Sequence, residues 1–300
     1  AQKRKRPESE SATSELPPLP AAFHDLYSTN ARLSTSDDPS LHGGRKRAIP
    51  HVEGNWPSHV YLEWIPSQAE SDHLHRLIEH IRVSIALANK SRDKPVPDIT
   101  PSLQSPLGAP LPLHVSLSRT LQIKTEDREH FLTTLNTWIS AAKVRPFHIT
   151  FSALKWVPNY ERNRWFLVLG IAKPAHDELN RLLKACNGAA EKCGYPGLYT
   201  GGEGDGPMED ETPSGSTTKR IKTARGRKHA EVAADDRFHI SIAWNLIESD
   251  PEWIALVKSI DVSGSPEAPF STVKAKVGNY VKNIELDTRK TMQTGRGGGI

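Results

Sequence analysis

The sequence predicts an α+β fold of two related lobes, each an antiparallel sheet with flanking helices, around a central cleft. Three observations carry this. Strand-like and helix-like periods alternate as β-α-β-α-β-β-α and then β-α-β, a mixture that packs helices onto sheets. The pattern His-x-Ser stands twice inside an apolar strand, at "LHVSLSR" (113–119) and "FHISIAW" (238–244). Each half of the element order carries one such strand and at least one helix.

The elements follow in order. Residues 1–50, rich in Ser, Pro and charge, predict a disordered basic tail. His59–Trp64 reads as a strand, and Leu74, Leu77, Ile78, Ile81 and Ile85 recur at helical spacing, giving a helix over 68–88. Pro-rich residues 95–112 form a loop before the first motif strand. Thr125 is placed to cap the next helix, with Glu126 and Asp127 at its positive end. Phe131, Leu132, Leu135, Trp138 and Ile139 make that helix's buried face. Strands over 147–157 and 164–171 are joined through "PNYERN". Pro174 opens a helix with Leu179, Leu182, Leu183 and Cys186 on one side. Residues 201–232 read as a flexible insert. After the second motif, Asp250-Pro251 is a cap followed by a first-turn proline, with Trp253, Leu256, Val257 and Ile260 facing inward. Strands over 270–286 close a domain spanning 51–286, and 287–300 predict a disordered tail.

Composition narrows the class. The chain is 36% apolar with 23 prolines, which suits a compact core flanked by disordered segments. The net charge is only +4, but Lys3–Arg6, Arg45–Arg47 and Lys219–Lys228 concentrate the basic residues. Such runs point to nuclear import or nucleic-acid contact. Two cysteines, Cys186 and Cys193, cannot build a secreted disulfide framework and form no C-x-x-C zinc pair. That fits a reducing compartment. No stretch approaches the ~20 apolar residues of a membrane span, and no signal-peptide pattern is seen.

Side chains alternate faces along a strand. His114 therefore shares a face with Ser116, and His239 with Ser241, while Val115, Leu117, Ile240 and Ile242 point the other way. If the two strands adjoin, two imidazoles and two hydroxyls converge. Such a set suits phosphodiester chemistry. An imidazole titrates near pH ~6.5, so one can remove a proton from an attacking hydroxyl while the other protonates the departing oxygen. The serine hydroxyls can bond phosphoryl oxygens where charge develops. No metal and no cofactor are called for. "FHIT" at 147–150 has the same shape, which makes His148 an alternative to His114. His114 is preferred because its motif matches the second more fully. His73, His75 and His80 crowd one helix without the i,i+4 spacing of a zinc helix. "GGEGDG" (201–206) lacks the strand-to-helix context of a phosphate loop and reads as linker. Trp156, Trp165, Tyr199 and Phe238 are candidates to stack on bases.

The paired motifs resemble those of the two-histidine (2H) phosphoesterase superfamily. "GRKRAIPHVEGNWPSHVYLEW" (44–64), with both motifs, is similar to the U6 small nuclear RNA phosphodiesterase family. The resemblance covers about 44–286 outside the insert. It implies a nuclear, metal-independent 3′→5′ RNA exonuclease that trims the uridine-rich end of U6 RNA. The ribose 2′-hydroxyl would attack the adjacent phosphate and leave a 2′,3′-cyclic phosphate or 3′-phosphate. By this likeness His114 is the general base, His239 the general acid, and Ser116 and Ser241 hold the phosphate. The family's stacking tyrosine precedes the second motif. Ala233 occupies that place here, so Tyr199 is taken as the displaced equivalent. Arg237 and Phe238 are expected at the terminal-base pocket, and Val115 and Ile240 are also assigned to substrate binding. The expected partner is RNA, with no membrane, and the chain is expected to be a monomer. The rival expectations are a 2H enzyme acting on small cyclic nucleotides or 2′,5′-oligonucleotides, and an RNA-binding module without catalysis.

Overall fold

Strand β1 (Asn55–Trp64) organises the first lobe. It buries Ser58, Val60, Leu62 and Trp64 and turns His59, Tyr61 and Glu63 to the opposite side. The strand starts at Asn55 rather than His59, because Trp56 is held at its entry. The Trp56 indole Nε1 donates to Thr125 Oγ1 at 2.9 Å, and the Arg128 guanidinium lies over the ring at 4.5 Å. Gly278, at φ +60°, passes so close that a Cβ there would run into the Trp56 ring. The computed structural model describes residues 52–90, 96–105, 107–201, 205 and 235–288. The tail 1–50, the three basic runs, Ala233, nearly all of the insert 201–232 and all but the first two residues of 287–300 lie outside the described residues.

Helix α1 (Gln68–Asn89) begins with a reciprocal cap. The Glu70 backbone N–H donates to Ser67 Oγ, and Glu70 Oε2 accepts from the Ser67 N–H. Leu74, Ile78, Ile81 and Ile85 form its buried stripe. The expected loop over 95–112 contains a two-residue strand, β2 (Thr100–Pro101), followed by β3 (Leu113–Ser116). A short strand not predicted from the sequence, β4 (Leu121–Lys124), comes next. Thr125 does not cap the following α-helix. It opens a 3₁₀ turn (Thr125–Asp127), and its hydroxyl donates to the Gly54 carbonyl at 3.0 Å. Helix α2 (Arg128–Ala142) starts only after that turn.

The remaining elements are β5 (Phe147–Ile149), β6 (Phe151–Pro158), β7 (Trp165–Ile171), α3 (Glu178–Lys192), β8 (His239–Asn245), α4 (Pro251–Lys258), β9 (Ala268–Phe270), β10 (Thr272–Val277) and β11 (Tyr280–Glu285). Pro174 does not open α3. It sits in the preceding turn, where its carbonyl accepts from the Asp177 N–H at 3.1 Å. Asp250 caps α4 by accepting from the Glu252 N–H, with Pro251 in the first turn as expected.

Every described strand pair is antiparallel. One sheet runs β11-β10-β1-β3, with β4 continuing beside β1. The other runs β2-β8-β7-β6, and β5 pairs with β9. A single apolar core joins both sheets, with Leu62, Val115, Val273, Leu169, Ile240 and Ile242 among its buried side chains. Each fully buried Leu, Ile or Val contributes ~1.5–3 kcal/mol, so this shared core holds the two sheets together. The mixture of helices and antiparallel sheets expected from the sequence is thus present. Among the described residues no helix is long and apolar enough to cross a membrane.

Candidate functional site

Strands β3 and β8 belong to different sheets, yet their Cα atoms approach within 8 Å. Each strand sends its apolar residues into the common core: Leu113 and Val115 from β3, Ile240 and Ile242 from β8. The alternation then leaves His114 and Ser116, and His239 and Ser241, on the open side of adjoining strands. His148, the alternative first histidine, lies on β5, which pairs only with β9 and belongs to neither sheet.

Register extends the polar face of the first lobe. Directly opposed residues on antiparallel strands share a face. Glu63 opposes His114 and Tyr61 opposes Ser116, while Lys274 opposes Tyr61 and Lys276 opposes His59. His59, Tyr61, Glu63, His114, Ser116, Lys274 and Lys276 therefore share one face. The Lys274 ammonium pairs with the Glu63 carboxylate. His59 Nε2 is hydrogen-bonded to Ser116 Oγ at 3.1 Å. The His59 ring stacks on Tyr61 at 5.2 Å and meets His114 edge-on at 5.3 Å.

This crowding sets the protonation states. Burial, then the neighbouring His114 and Lys276, lower the His59 pKa from 6.5 to about 3, against a backbone hydrogen bond to Ser118 that favours the cation. His59 is neutral near pH 7. Burial also lowers the His114 pKa, and the Glu63 carboxylate opposes that shift. His114 keeps an exposed edge, so it combines a neutral ring with access to a ligand. Tyr61 is raised above the ordinary phenol value by burial, then by Glu63, with Lys274 opposing.

The second lobe is built differently. On β7, Gly170 opposes His239 and Val168 opposes Ser241, and Lys155 of β6 opposes Val168. A partner of His239 comes instead from the 3₁₀ turn Asp235–Arg237 that precedes the strand. The His239 Nδ1–H donates to the Arg237 carbonyl at 2.7 Å, which leaves Nε2 as the nitrogen that gains or loses a proton. The Tyr199 hydroxyl donates to the same carbonyl at 3.0 Å, and the Arg237 guanidinium lies 5.7 Å from the Tyr199 ring centroid. Tyr199 holds a left-handed φ of 60°. Its phenol pKa is raised by burial and by Asp205, with Arg237 opposing.

Asp205, expected to be linker, is a structural anchor. It is buried, pairs with Arg119 at 3.2 Å and accepts from the Tyr199 and Gly201 N–H groups. Arg119 also donates to the carbonyls of Gly197 and Gly201. The residue that ends the first motif stretch thereby fastens the loop that presents Tyr199 beside the second motif.

Three expected ligand contacts need correction. Val115, Phe238 and Ile240 are 1%, 2% and 0% exposed, so their side chains support the strands from behind and do not reach a ligand. Trp156 and Trp165 are likewise core residues. His59, Tyr61, Glu63, Lys274 and Lys276 were missed. The alternation of His59, Tyr61 and Glu63 along β1 was the available signal, but their meeting with His114 needed the strand register. Among the described residues no group of three or more His, Cys, Asp or Glu side chains is placed to hold a metal ion.

Comparison with known proteins gives consistent results. A family model described as HVSL, an uncharacterised conserved protein, matches residues 17–285. A Neurospora crassa protein named U6 snRNA phosphodiesterase 1 is 31% identical over 305 residues, covering 92% of this chain and 76% of that protein. The Drosophila melanogaster and Homo sapiens proteins of the same name are 28% and 26% identical, and the alignments cover 49% and 50% of their lengths. The chain thus spans about half the length of these animal relatives. The solved structure of Kluyveromyces marxianus Usb1 superposes with a TM-score of 0.53 at 17% identity, covering 77% of this chain and 98% of that one. The same protein with uridine monophosphate gives the same values.

Proposed function

We propose, since the chain belongs to the HVSL family, that it is an RNA phosphodiesterase of the two-histidine type that processes the 3′ end of U6 snRNA. The observation that carries the proposal is the approach of β3 and β8, which brings one His-x-Ser motif from each sheet to adjoining open faces. Neutral His114 takes the proton of the penultimate ribose 2′-hydroxyl as that oxygen attacks the phosphorus that links this ribose to the terminal nucleoside. His239, oriented through Nδ1 by the Arg237 carbonyl, delivers a proton from Nε2 to the departing 5′-oxygen. The P–O5′ bond breaks as the new P–O2′ bond forms, and the released nucleoside leaves a 2′,3′-cyclic phosphate on the product end. Water attack on that ring then yields a 3′-phosphate. Ser116 and Ser241 bind the phosphoryl oxygens.

Both proton transfers are supplied by side chains, so the reaction runs without a metal. Tyr199 and Arg237 flank the second motif and contact the terminal nucleotide, with Tyr199 as its stacking surface. Val115, Phe238 and Ile240 are not part of this contact. The enzyme works as a monomer in the nucleus, guided there by the basic runs, with residues 51–286 as its catalytic domain.

Incubation with oligouridine in EDTA, followed by mass spectrometry of the RNA ends, tests this. Shortening from the 3′ end with cyclic-phosphate or phosphate termini is expected. Intact RNA beside hydrolysed small cyclic nucleotides would instead assign the chain to a different 2H substrate class. Binding without any cleavage would make it an RNA-binding module.

A further inference from the structure

We infer that His59 is a positioning residue for the proposed reaction, holding the Ser116 hydroxyl in place without itself exchanging a proton with substrate. This rests on the reading of Ser116 as a phosphate-binding group.

The geometry is direct. Nε2 of His59 bonds Ser116 Oγ at 3.1 Å across the β1–β3 register. The ring is fixed on two further sides, by stacking on Tyr61 at 5.2 Å and by the edge of His114 at 5.3 Å. A serine hydroxyl on a strand otherwise samples several χ1 wells. A hydrogen bond from an immobilised ring selects one of them. The ring is shared between Ser116 and His114, so it fixes the spacing of the two first-lobe groups as one unit.

Acid–base work is a poor match for His59. The groups facing it are His114, Tyr61, Ser116, Lys276 and the Ser118 backbone. Burial, and after it the neighbouring His114 and Lys276, disfavours a charged ring, so His59 is uncharged wherever the pair of catalytic imidazoles operates. The His59–Ser116 bond is therefore a bond between neutral groups whose strength is constant across the working pH range. In the second lobe, Val168 opposes Ser241 and can offer no such bond. Only one of the two serines is oriented in this way from the neighbouring strand of its sheet.

The two amide isosteres of histidine separate positioning from bulk. Glutamine carries its amide nitrogen where Nε2 sits, whereas asparagine stops one bond short. Turnover on oligouridine is compared for H59Q, H59N, S116A and the double variants H59N/S116A and H59Q/S116A. Thermal melting shows that each is folded. The expected result is near-wild-type kcat for H59Q and a kcat about tenfold lower for H59N, the size of one neutral hydrogen bond. KM should change little, and the pH–rate profile should keep its shape. In the S116A background, H59N and H59Q should be equal within about twofold, because the group they position is gone. An H59N loss as large with Ser116 absent as with it present overturns the inference, as does a limb of the profile that moves in H59Q. If S116A itself leaves turnover unchanged, the reading of Ser116 as a phosphate ligand is wrong, and that failure is visible separately.

Discussion

The two His-x-Ser motifs are alike in sequence and unlike in their surroundings. His114 stands on a sheet face furnished by strands in register: Glu63, Tyr61 and His59 from β1, Lys274 and Lys276 from β10. His239 stands on a face where its own sheet offers Gly170 and Val168. Its orientation comes from the Arg237 carbonyl and the loop bearing Tyr199. The difference supports the proposed division of tasks. The first lobe packs rings around His114 until the neutral form is favoured, which suits a proton acceptor. The second lobe fixes which ring nitrogen of His239 faces the open side, which suits a directed proton donor.

The strongest challenge to this division is removal of either imidazole. H114A and H239A should each reduce turnover on oligouridine by about a hundred- to ten-thousandfold while RNA affinity stays close to wild type. In the proposed mechanism the two act on one phosphate in one step, so the double variant should be little worse than the poorer single one. Losses that simply multiply would mean the lobes work independently.

A smaller effect probes the link between the lobes. The Arg119–Asp205 pair is buried, with side chains 5% and 4% exposed. D205A strands the Arg119 charge and should cost ~3–5 kcal/mol in denaturant unfolding. A change near zero would show that the loop carrying Tyr199 is not anchored through this pair. Smaller again is Y199F, which removes one donor from the Arg237 carbonyl and keeps the ring. Turnover should fall about threefold, with KM nearly constant if stacking carries the binding. A separate readout is acid stability. The His59 pKa lies below its unfolded value of 6.5, at about 3, so its contribution to folding is complete above 6.5 and is lost progressively as pH falls towards 3. H59Q should therefore lose less melting temperature than wild type between pH 7 and pH 5. The lowered His114 contributes with the same sign in both proteins.

Period-two and period-3.6 signals were strong where one face is apolar. The two motif strands, helix α1 with Leu74, Ile78, Ile81 and Ile85, and the Asp250-Pro251 start of α4 were readable for that reason. Helix starts set by tertiary contacts were not. Thr125 has the chemistry of a cap, but Trp56 and Gly54 claim its hydroxyl. Strand β4 is four residues long, too short for its alternation to stand out beside the motif before it. Asp205 sits among glycines that read as linker, and only folding brings Arg119 to it. The assignment of Val115 and Ile240 to ligand binding conflicts with the alternation that places His114 and His239 on the open side. The buried state of both residues follows from the same rule. The polar neighbours of His114 depend on which residues of β1 face which residues of β3, a long-range property that composition does not encode.

The division of labour between the lobes is tested most directly by the pH dependence of kcat/KM on oligouridine in EDTA. The account predicts a bell whose acidic limb lies below 6.5, reporting an essential imidazole that burial keeps neutral. A flat profile, or an acidic limb above that value, would contradict the assignment of His114 as the proton acceptor.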